Sequence, residues 1–236
     1  MSPNAADVPL RRVAGVIPAL DAERTIVEVV RGARAQLARV FVVDDGSRDA
    51  TAQLASAAGA TVLRHPGNRG KGAALRTGLL AALECGEQAV VSLDADGQHP
   101  TGEIARMLEA SSDPRALVLG VRDLVAAGAP AKNRWSNGFA NQFLSTTTGR
   151  RLLDTQCGMR RYPVAETLAL GVRDDRFGFE TEVLLRAIRA GLPIVQTPID
   201  VLYPADRTTH FRAGRDPWQI VGRVLRTFAE QALGPR

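Results

Sequence analysis

Aromatic residues make up only 5% of this 236-residue chain, cysteine occurs twice and histidine three times. Low aromatic content and the lack of a recognition motif speak against a nucleic-acid-binding protein, although the formal net charge of +5 favours anionic partners such as nucleotides, phosphates or acidic membrane surfaces. Two cysteines, Cys85 and Cys157, cannot make a disulfide framework, and their spacing is not a zinc signature. No uncharged apolar run approaches the ~18 residues of a membrane span. Met1 to Val8 carries Asp7 and has neither a basic start nor an apolar core, so no signal peptide is expected. These absences predict a reduced, cytoplasmic protein. Sequence alone leaves its oligomeric state open.

What remains is 45% apolar, enough for one good core. Short apolar runs alternate with helical spacing through residue 121. Strands are predicted at Val13–Ile17, Val40–Val43, Thr61–Leu63, Ala89–Leu93 and Ala116–Val121. Between them, helices fit Ala22–Leu37, Ala50–Ala58 with Asp49 as cap, Ala73–Leu83 and Glu103–Glu109. That alternation predicts an α/β fold with a mostly parallel sheet and helices on both faces. Beyond Val121 come a loop from Arg122 to Ser136 and a helix at Asn137–Thr147. A helix opening at Phe177 and running to Ala190 follows, then a strand at Pro193–Val201. Residues 1–10 are expected to be disordered, 11–215 to form a single catalytic domain, and 216–236 an amphipathic helix. Its apolar stripe is Trp218, Val221, Leu225 and Phe228, with Arg223 and Arg226 nearby. The stripe suits core packing, or alternatively a lipid surface.

The chemistry concentrates in Val90-Val-Ser-Leu-Asp94-Ala-Asp96-Gly-Gln-His-Pro100. A strand that delivers two carboxylates to the carboxyl edge of an open sheet puts them where α/β folds bind ligands. Hard oxygen ligands held this close suit Mg²⁺ or Mn²⁺. Taken alone, Asp-Ala-Asp-Gly also reads as a polar turn. Asp44 and Asp45 end another strand at the same edge, so at least one is expected to face a ligand. Gly67, Gly70 and Gly72 offer backbone amides to phosphate at a helix start, without the Walker A pattern. In the polar stretch after Val201, Arg207 and Arg212 are candidates for phosphate contact, and His210 for a metal ligand. His65 and His99, each before a proline, read as structural.

The order of motifs resembles family-2 glycosyltransferases, most of all the branch with dolichol-phosphate mannose synthase and its bacterial polyprenyl-phosphate relatives. The resemblance rests on Ile17-Pro-Ala-Leu-Asp-Ala-Glu23, Val43-Asp-Asp-Gly-Ser47, Asn68-Arg-Gly-Lys-Gly72, Asp94-Ala-Asp-Gly-Gln-His-Pro100, Asp154-Thr-Gln-Cys-Gly158 and Phe177-Gly-Phe-Glu-Thr-Glu182. It implies a GT-A fold and an inverting, metal-aided transfer of a hexose from a nucleotide-diphosphate sugar. By position, Pro18, Ala19, Leu20 and Glu23 would line the nucleotide pocket, Asp45 would meet base or ribose, and Lys71 would lie near the donor. Asp94, Ala95 and Asp96 would form the metal-diphosphate motif, with Gln98 as a further ligand. Arg122, Arg134 and Ser136 fall where the acceptor loop binds phosphate. The chain departs from the family pattern at Leu20, Asp21 and Ala22, where an aromatic and Asn-Glu are usual, and at Cys157, where Ser is common.

The acceptor implied is polyprenyl phosphate, which would bring the protein to the inner face of the membrane as a peripheral protein. Such an acceptor needs no general base, because a phosphate monoester is largely dianionic above its second pKa of ~6. A soluble alcohol acceptor would need one, and Asp154, Glu180 and Glu182 are the candidates. Glu180 and Glu182 stand about 200° apart on a helix, so at most one faces the site. Nucleotidyl transfer and a nucleotide-sugar-binding domain without catalysis are the other readings.

Overall fold

The computed structural model describes residues 12–202, apart from residue 177. The terminal expectations over residues 1–10 and 216–236 lie outside the described residues. So do Arg207, His210 and Arg212.

The chain forms one α/β unit around a seven-stranded sheet. Its strands are β1 (Val13–Ala19), β2 (Arg39–Asp44), β3 (Thr61–Arg64), β4 (Ala89–Ser92), β5 (Leu117–Arg122), β6 (Arg160–Pro163) and β7 (Ile194–Ile199), in spatial order β3-β2-β1-β4-β6-β5-β7. The helices are α1 (Ile26–Arg34), α2 (Thr51–Ala57), α3 (Lys71–Glu84), α4 (Glu103–Glu109), α5 (Ala131–Thr148), α6 (Val164–Ala169) and α7 (Phe179–Arg189). Only β6 runs antiparallel to its neighbours, β4 and β5.

Strands buried on both faces read as continuous apolar runs, and Val40–Val43 is buried throughout. Alternate residues serve opposite cores: Ala14, Val16 and Val90 pack with Leu144, Val183 and Leu184, whereas Ile17, Val91 and Leu93 pack with Val29, Val30 and Met107. Helix α1 buries Ile26, Val29, Val30 and Ala33, the spacing of one helical face. Helix α3 lies close against β1 because Gly78 has no side chain. A Cβ there would come within 2.4 Å of Val16 Cγ1.

Three departures from the sequence reading have physical causes. Strand β6 carries two arginines and a proline, a poor strand pattern, yet all four of its residues are buried. The Arg160 guanidinium is satisfied by the carbonyl oxygens of Thr155, Cys157 and Glu180, and Arg161 donates through its two terminal nitrogens to those of Leu108, Ser111 and Asp113, with its Nε left unpartnered. Helix α5 starts at Ala131 rather than Asn137, directly after Pro130, so the loop before it is shorter than expected. Asp49 accepts from the backbone N–H of Thr51 at the start of α2, although Ala50 occupies the N-cap position.

Candidate functional site

From β1 the chain moves outward through β2 and β3, then returns to place β4 on the other side of β1. The sheet order therefore reverses between β1 and β4, the point where open α/β sheets hold ligands beyond their carboxyl edge. Beyond the ends of β1, β2 and β3 lies a cavity of about 810 Å³, lined by Leu20, Asp21, Gly46, Ser47, Arg48, Arg64, His65, Pro66, Gly67 and Asn68. That volume is within the ~300–1,000 Å³ range of small-molecule sites.

Of the residues expected around a nucleotide, Leu20 lines this cavity. Pro18 and Ala19 end β1 just before it, and Glu23 accepts from the backbone N–H of Ala50, which ties the turn after β1 to the start of α2. Asp21 has a φ of 49°, the only positive value at a non-glycine residue among the described residues. Asp tolerates this left-handed conformation, and it accepts from Arg48 N. Both carboxylates of the Asp44–Asp45 pair are engaged internally, where at least one was expected to face a ligand. Asp44 caps the turn through Ser47 N and meets Arg64 Nε at 3.0 Å. Asp45 accepts from Arg69 N and Gly70 N and lies 2.6 Å from His65 Nδ1. Gly70 N, one of the amides expected to approach phosphate, thus serves Asp45. His65, which also lines the cavity, is held between Asp45 and Thr77 Oγ1, the latter at 2.9 Å.

The carboxylate centre sits at the end of β4. Lys71, the first residue of α3, places Nζ 2.6 Å from Asp94 Oδ1 and 3.0 Å from Glu180 Oε1. Burial disfavours the charged lysine, but the two carboxylates more than offset it and raise the Lys71 pKa. Burial likewise opposes ionisation of Asp94, and the Lys71 charge overcomes it, so Asp94 is held ionised. Asp96 moves the other way, raised by burial and then by the Asp94 charge. Its carboxylate accepts from Gln98 N and Gln98 Nε2. Gly158 backs this group: a Cβ there would lie 2.3 Å from Asp94 Oδ2 and 2.8 Å from Lys71 Nζ. Ala95 is nearly buried, and its carbonyl accepts from Thr25 Oγ1.

His99, read from sequence as structural, belongs to this centre. Its Nε2 is 3.8 Å from Asp94 Oδ2, and its Nδ1 is buried without a hydrogen-bond partner. Burial pulls its pKa down to about 4, so the ring is neutral. Only the Asp-Ala-Asp-Gly-Gln-His spacing could have hinted at it.

A second polar centre adjoins β5. Arg122 donates through Nε and Nη2 to the two oxygens of Asp154, at 2.7 and 3.0 Å. Asp154 also accepts from Asn137 Nδ2 and Gln156 N. Burial opposes its ionisation, but Arg122 prevails and lowers its pKa. Around this pair, Ser136 Oγ, Asn137 Oδ1 and Gln156 Nε2 are buried without partners. Arg134 is exposed and donates to the Ala129 carbonyl. Glu182 turns away from Lys71: it pairs with Arg186 at 2.7 Å and accepts from Arg173 N and Asp174 N.

The residues at the β4 edge fit a divalent cation in one specific way. Among the described residues no three His, Cys, Asp or Glu side chains are grouped to hold a metal. Mg²⁺ is commonly bound by one or two carboxylates with substrate phosphates completing its shell, and Asp94 with Asp96 meets that requirement.

The sequence model of glycosyl transferase family 2 matches residues 16–166. A polyprenol monophosphomannose synthase of Mycolicibacterium smegmatis is 31% identical over 173 residues, 68% of this chain and 65% of that protein. A UDP-N-acetylglucosamine–dolichyl-phosphate N-acetylglucosaminyltransferase of Methanococcus voltae is 28% identical over 214 residues, 80% of this chain and 84% of that protein. The chain thus spans just under two thirds of the first relative and most of the second. The fold matches a glucosyl-3-phosphoglycerate synthase of Mycobacterium tuberculosis, solved with Mn²⁺, UDP-glucose and phosphoglyceric acid. The TM-score is 0.74 at 23% identity, over 92% of this chain and 79% of that one.

Proposed function

The chain belongs to glycosyl transferase family 2, and from that premise we propose that it moves a hexose from a nucleotide-diphosphate sugar to polyprenyl phosphate, with inversion at the transferred carbon and with Mg²⁺ or Mn²⁺. The observation that carries this acceptor is the state of the three carboxylates that could act as general base. Both oxygens of Asp154 are taken by Arg122 and Asn137, both of Glu182 by Arg186 and the backbone N–H groups of Arg173 and Asp174, and Glu180 is tied through Oε1 to the Lys71 cation. A base needs an available oxygen within reach of the proton it removes. An alcohol acceptor is therefore poorly served, whereas a phosphate acceptor brings its own anionic oxygen as nucleophile. Both relatives named above bear names that specify lipid-phosphate acceptors or products.

In this reading the cavity beyond β1–β3 takes the nucleoside, and the β4 edge takes the diphosphate. Asp94 and Asp96 hold the cation, with Gln98 as a further oxygen donor. A divalent cation held there would supply Lewis-acid stabilisation of the charge on the diphosphate leaving group. Lys71 is fixed by Asp94 and Glu180 as a permanent cation beside that group, without reorganisation as charge develops. Asp154 holds Arg122 at the acceptor side, where the unpartnered Ser136 hydroxyl and Gln156 amide are donors for phosphate oxygens. Arg134 lies in the first turns of α5, and Arg207, Arg212 and His210, which fall outside the described residues, remain candidates for phosphate or metal contact. Asp45 acts by position, through the backbone of Arg69 and Gly70.

No described helix is long and apolar enough to cross a membrane. In this reading the lipid acceptor is met at the inner face of the membrane. The test is turnover with GDP-mannose, UDP-glucose or UDP-N-acetylglucosamine and polyprenyl phosphate, with Mn²⁺ or with chelator. The expected result is a metal-dependent, lipid-linked sugar of inverted anomeric configuration, with release of nucleoside diphosphate. Glycosylation of a soluble alcohol only, or release of free diphosphate, would overturn it.

A further inference from the structure

Helix α5 presents two faces of opposite character. Ser136, Asn137, Ala140 and Leu144 are its buried side, with Asn137 Nδ2 donating to Asp154. On the other side Trp135 is 69% exposed and Phe139 38% exposed. Their rings stack at a centroid distance of 5.9 Å, and Phe143 continues the ladder at 6.4 Å. At 100° per residue, Trp135, Phe139, Gln142 and Thr146 share that outward face. Val125 before the helix and Leu153 after it are also exposed, so four of the seven large apolar side chains exposed among the described residues cluster in this part of the chain.

Charge identifies the partner. From Leu124 to Leu153 there is not one Asp or Glu, while Lys132, Arg134, Arg150 and Arg151 all fall within the stretch. The whole chain has 25 acidic residues among 236, so a gap of that length departs strongly from the average. A protein partner of mixed surface charge would not call for it. An anionic lipid surface does, because it attracts each nearby cation and repels each carboxylate. Trp and Phe on one face with basic residues at its margins are the composition of a helix lying in the membrane interface.

We propose that the outward face of α5, carried by Trp135 and Phe139, docks this protein on an anionic phospholipid surface. The helix then lies flat at the bilayer boundary with Ser136 and Asn137 on its inner side, so the Arg122–Asp154 centre sits next to the plane in which a lipid phosphate lies. The proposal deepens the lipid-acceptor reading but does not use the acceptor for its evidence.

The experiment is co-sedimentation of the full chain with vesicles of phosphatidylcholine, alone or mixed equally with phosphatidylglycerol, none containing polyprenyl phosphate. Binding to the anionic vesicles is expected to weaken at least about tenfold in Trp135→Ser/Phe139→Ser and about fivefold for each of Lys132→Gln and Arg150→Gln. Melting temperatures should fall by no more than a few degrees, since Trp135 is mostly exposed and Phe139 partly so, and each variant is assayed well below its Tm. In a Trp218→Phe background Trp135 is the single tryptophan, and its emission should shift to the blue on adding anionic vesicles. The proposal fails if the wild-type chain does not bind. It also fails if the Trp135/Phe139 variant binds as well as wild type, which would place docking elsewhere, or if Trp135 emission ignores the vesicles. A dimer that this double variant splits would mean that a second copy covers the face, and would overturn it too. Docking without transfer to polyprenyl phosphate would refute only the acceptor; transfer without docking would refute only this surface.

Discussion

Replacing Gly158 by alanine tests the site's geometry with a single methyl group. The new Cβ would sit 2.3 Å from Asp94 Oδ2, 2.9 Å from Asp94 Cγ and 2.8 Å from Lys71 Nζ, closer than any real contact. Two responses are open to the protein. If the pair stays in place, the strain is that of an overpacked interior, about 1–3 kcal/mol. For a domain of this size each kcal/mol lowers Tm by about 2–4 °C, so the loss would be about 2–12 °C. If instead the Asp94 carboxylate and the Lys71 ammonium swing away, stability is largely kept but the 2.6 Å pair is broken and Asp94 leaves its position beside Asp96. Donor affinity in the presence of Mn²⁺ should then fall at least about tenfold, ~1.4 kcal/mol. Differential scanning fluorimetry and calorimetric titration with nucleoside diphosphate separate the two responses. Gly138→Ala is the matched control, because nothing lies within 4 Å of a Cβ there. Its Tm should hold or rise slightly. A Gly158→Ala protein with wild-type Tm and wild-type donor affinity would refute the placement of Asp94 and Lys71 against this residue.

Lys71→Met leaves Asp94 and Glu180 facing one another without their shared cation. One of them should then keep a proton in the folded state, its pKa raised, so the variant should lose stability relative to wild type as pH rises from acid to neutral, followed by Tm. In the wild type the Asp154 pKa is depressed by Arg122 against the effect of burial. Its contribution is therefore full above the ordinary carboxylate pKa and is lost as pH falls towards the depressed value. Asp154→Asn should lower stability by about 3–5 kcal/mol at neutral pH, the usual cost of stranding a buried partner. The difference from wild type should narrow in acid. Tyr162 Oη is buried with no hydrogen-bond partner, so Tyr162→Phe should leave Tm unchanged or raise it. A loss of several degrees would reveal a partner for that hydroxyl.

The parallel half of the fold was legible because its signals are local: buried apolar runs such as Val40–Val43, each followed by a helix of matching period. Strand β6 was not. Arg160 and Arg161 look unsuited to a buried strand until six carbonyl oxygens, brought by the end of α4 and the loop after it, by residues 155–157 and by the start of α7, are seen to receive their N–H groups. No local pattern encodes such long-range compensation. At the site, Asp94 and Asp96 could be singled out from their strand end, and Lys71 from its place in a motif that resembles the family's. That Lys71 bridges Asp94 to Glu180, 86 positions apart in the chain, depends on the loop before α7 meeting the start of α3. His99 was read as a structural residue because a histidine before a proline gives no sign of what it faces. Trp135 and Phe139 escaped for a different reason: starting α5 at Asn137 left Trp135 in a loop, where no helical face could be drawn.

The most direct measurement is a thermal-shift comparison of wild type and Asp96→Ala with GDP-mannose, UDP-glucose, UDP-N-acetylglucosamine and dTDP-glucose, each with and without Mn²⁺. A ligand that binds only the folded state at a hundredfold excess over Kd adds about 2.7 kcal/mol, about 5–11 °C for a domain of this size. The account predicts that one nucleotide gives such a rise, only with Mn²⁺ and only in wild type, while Asp96→Ala without ligand melts no lower. A metal-dependent rise of the same size in Asp96→Ala, or no rise with any donor in folded wild-type protein, would contradict it.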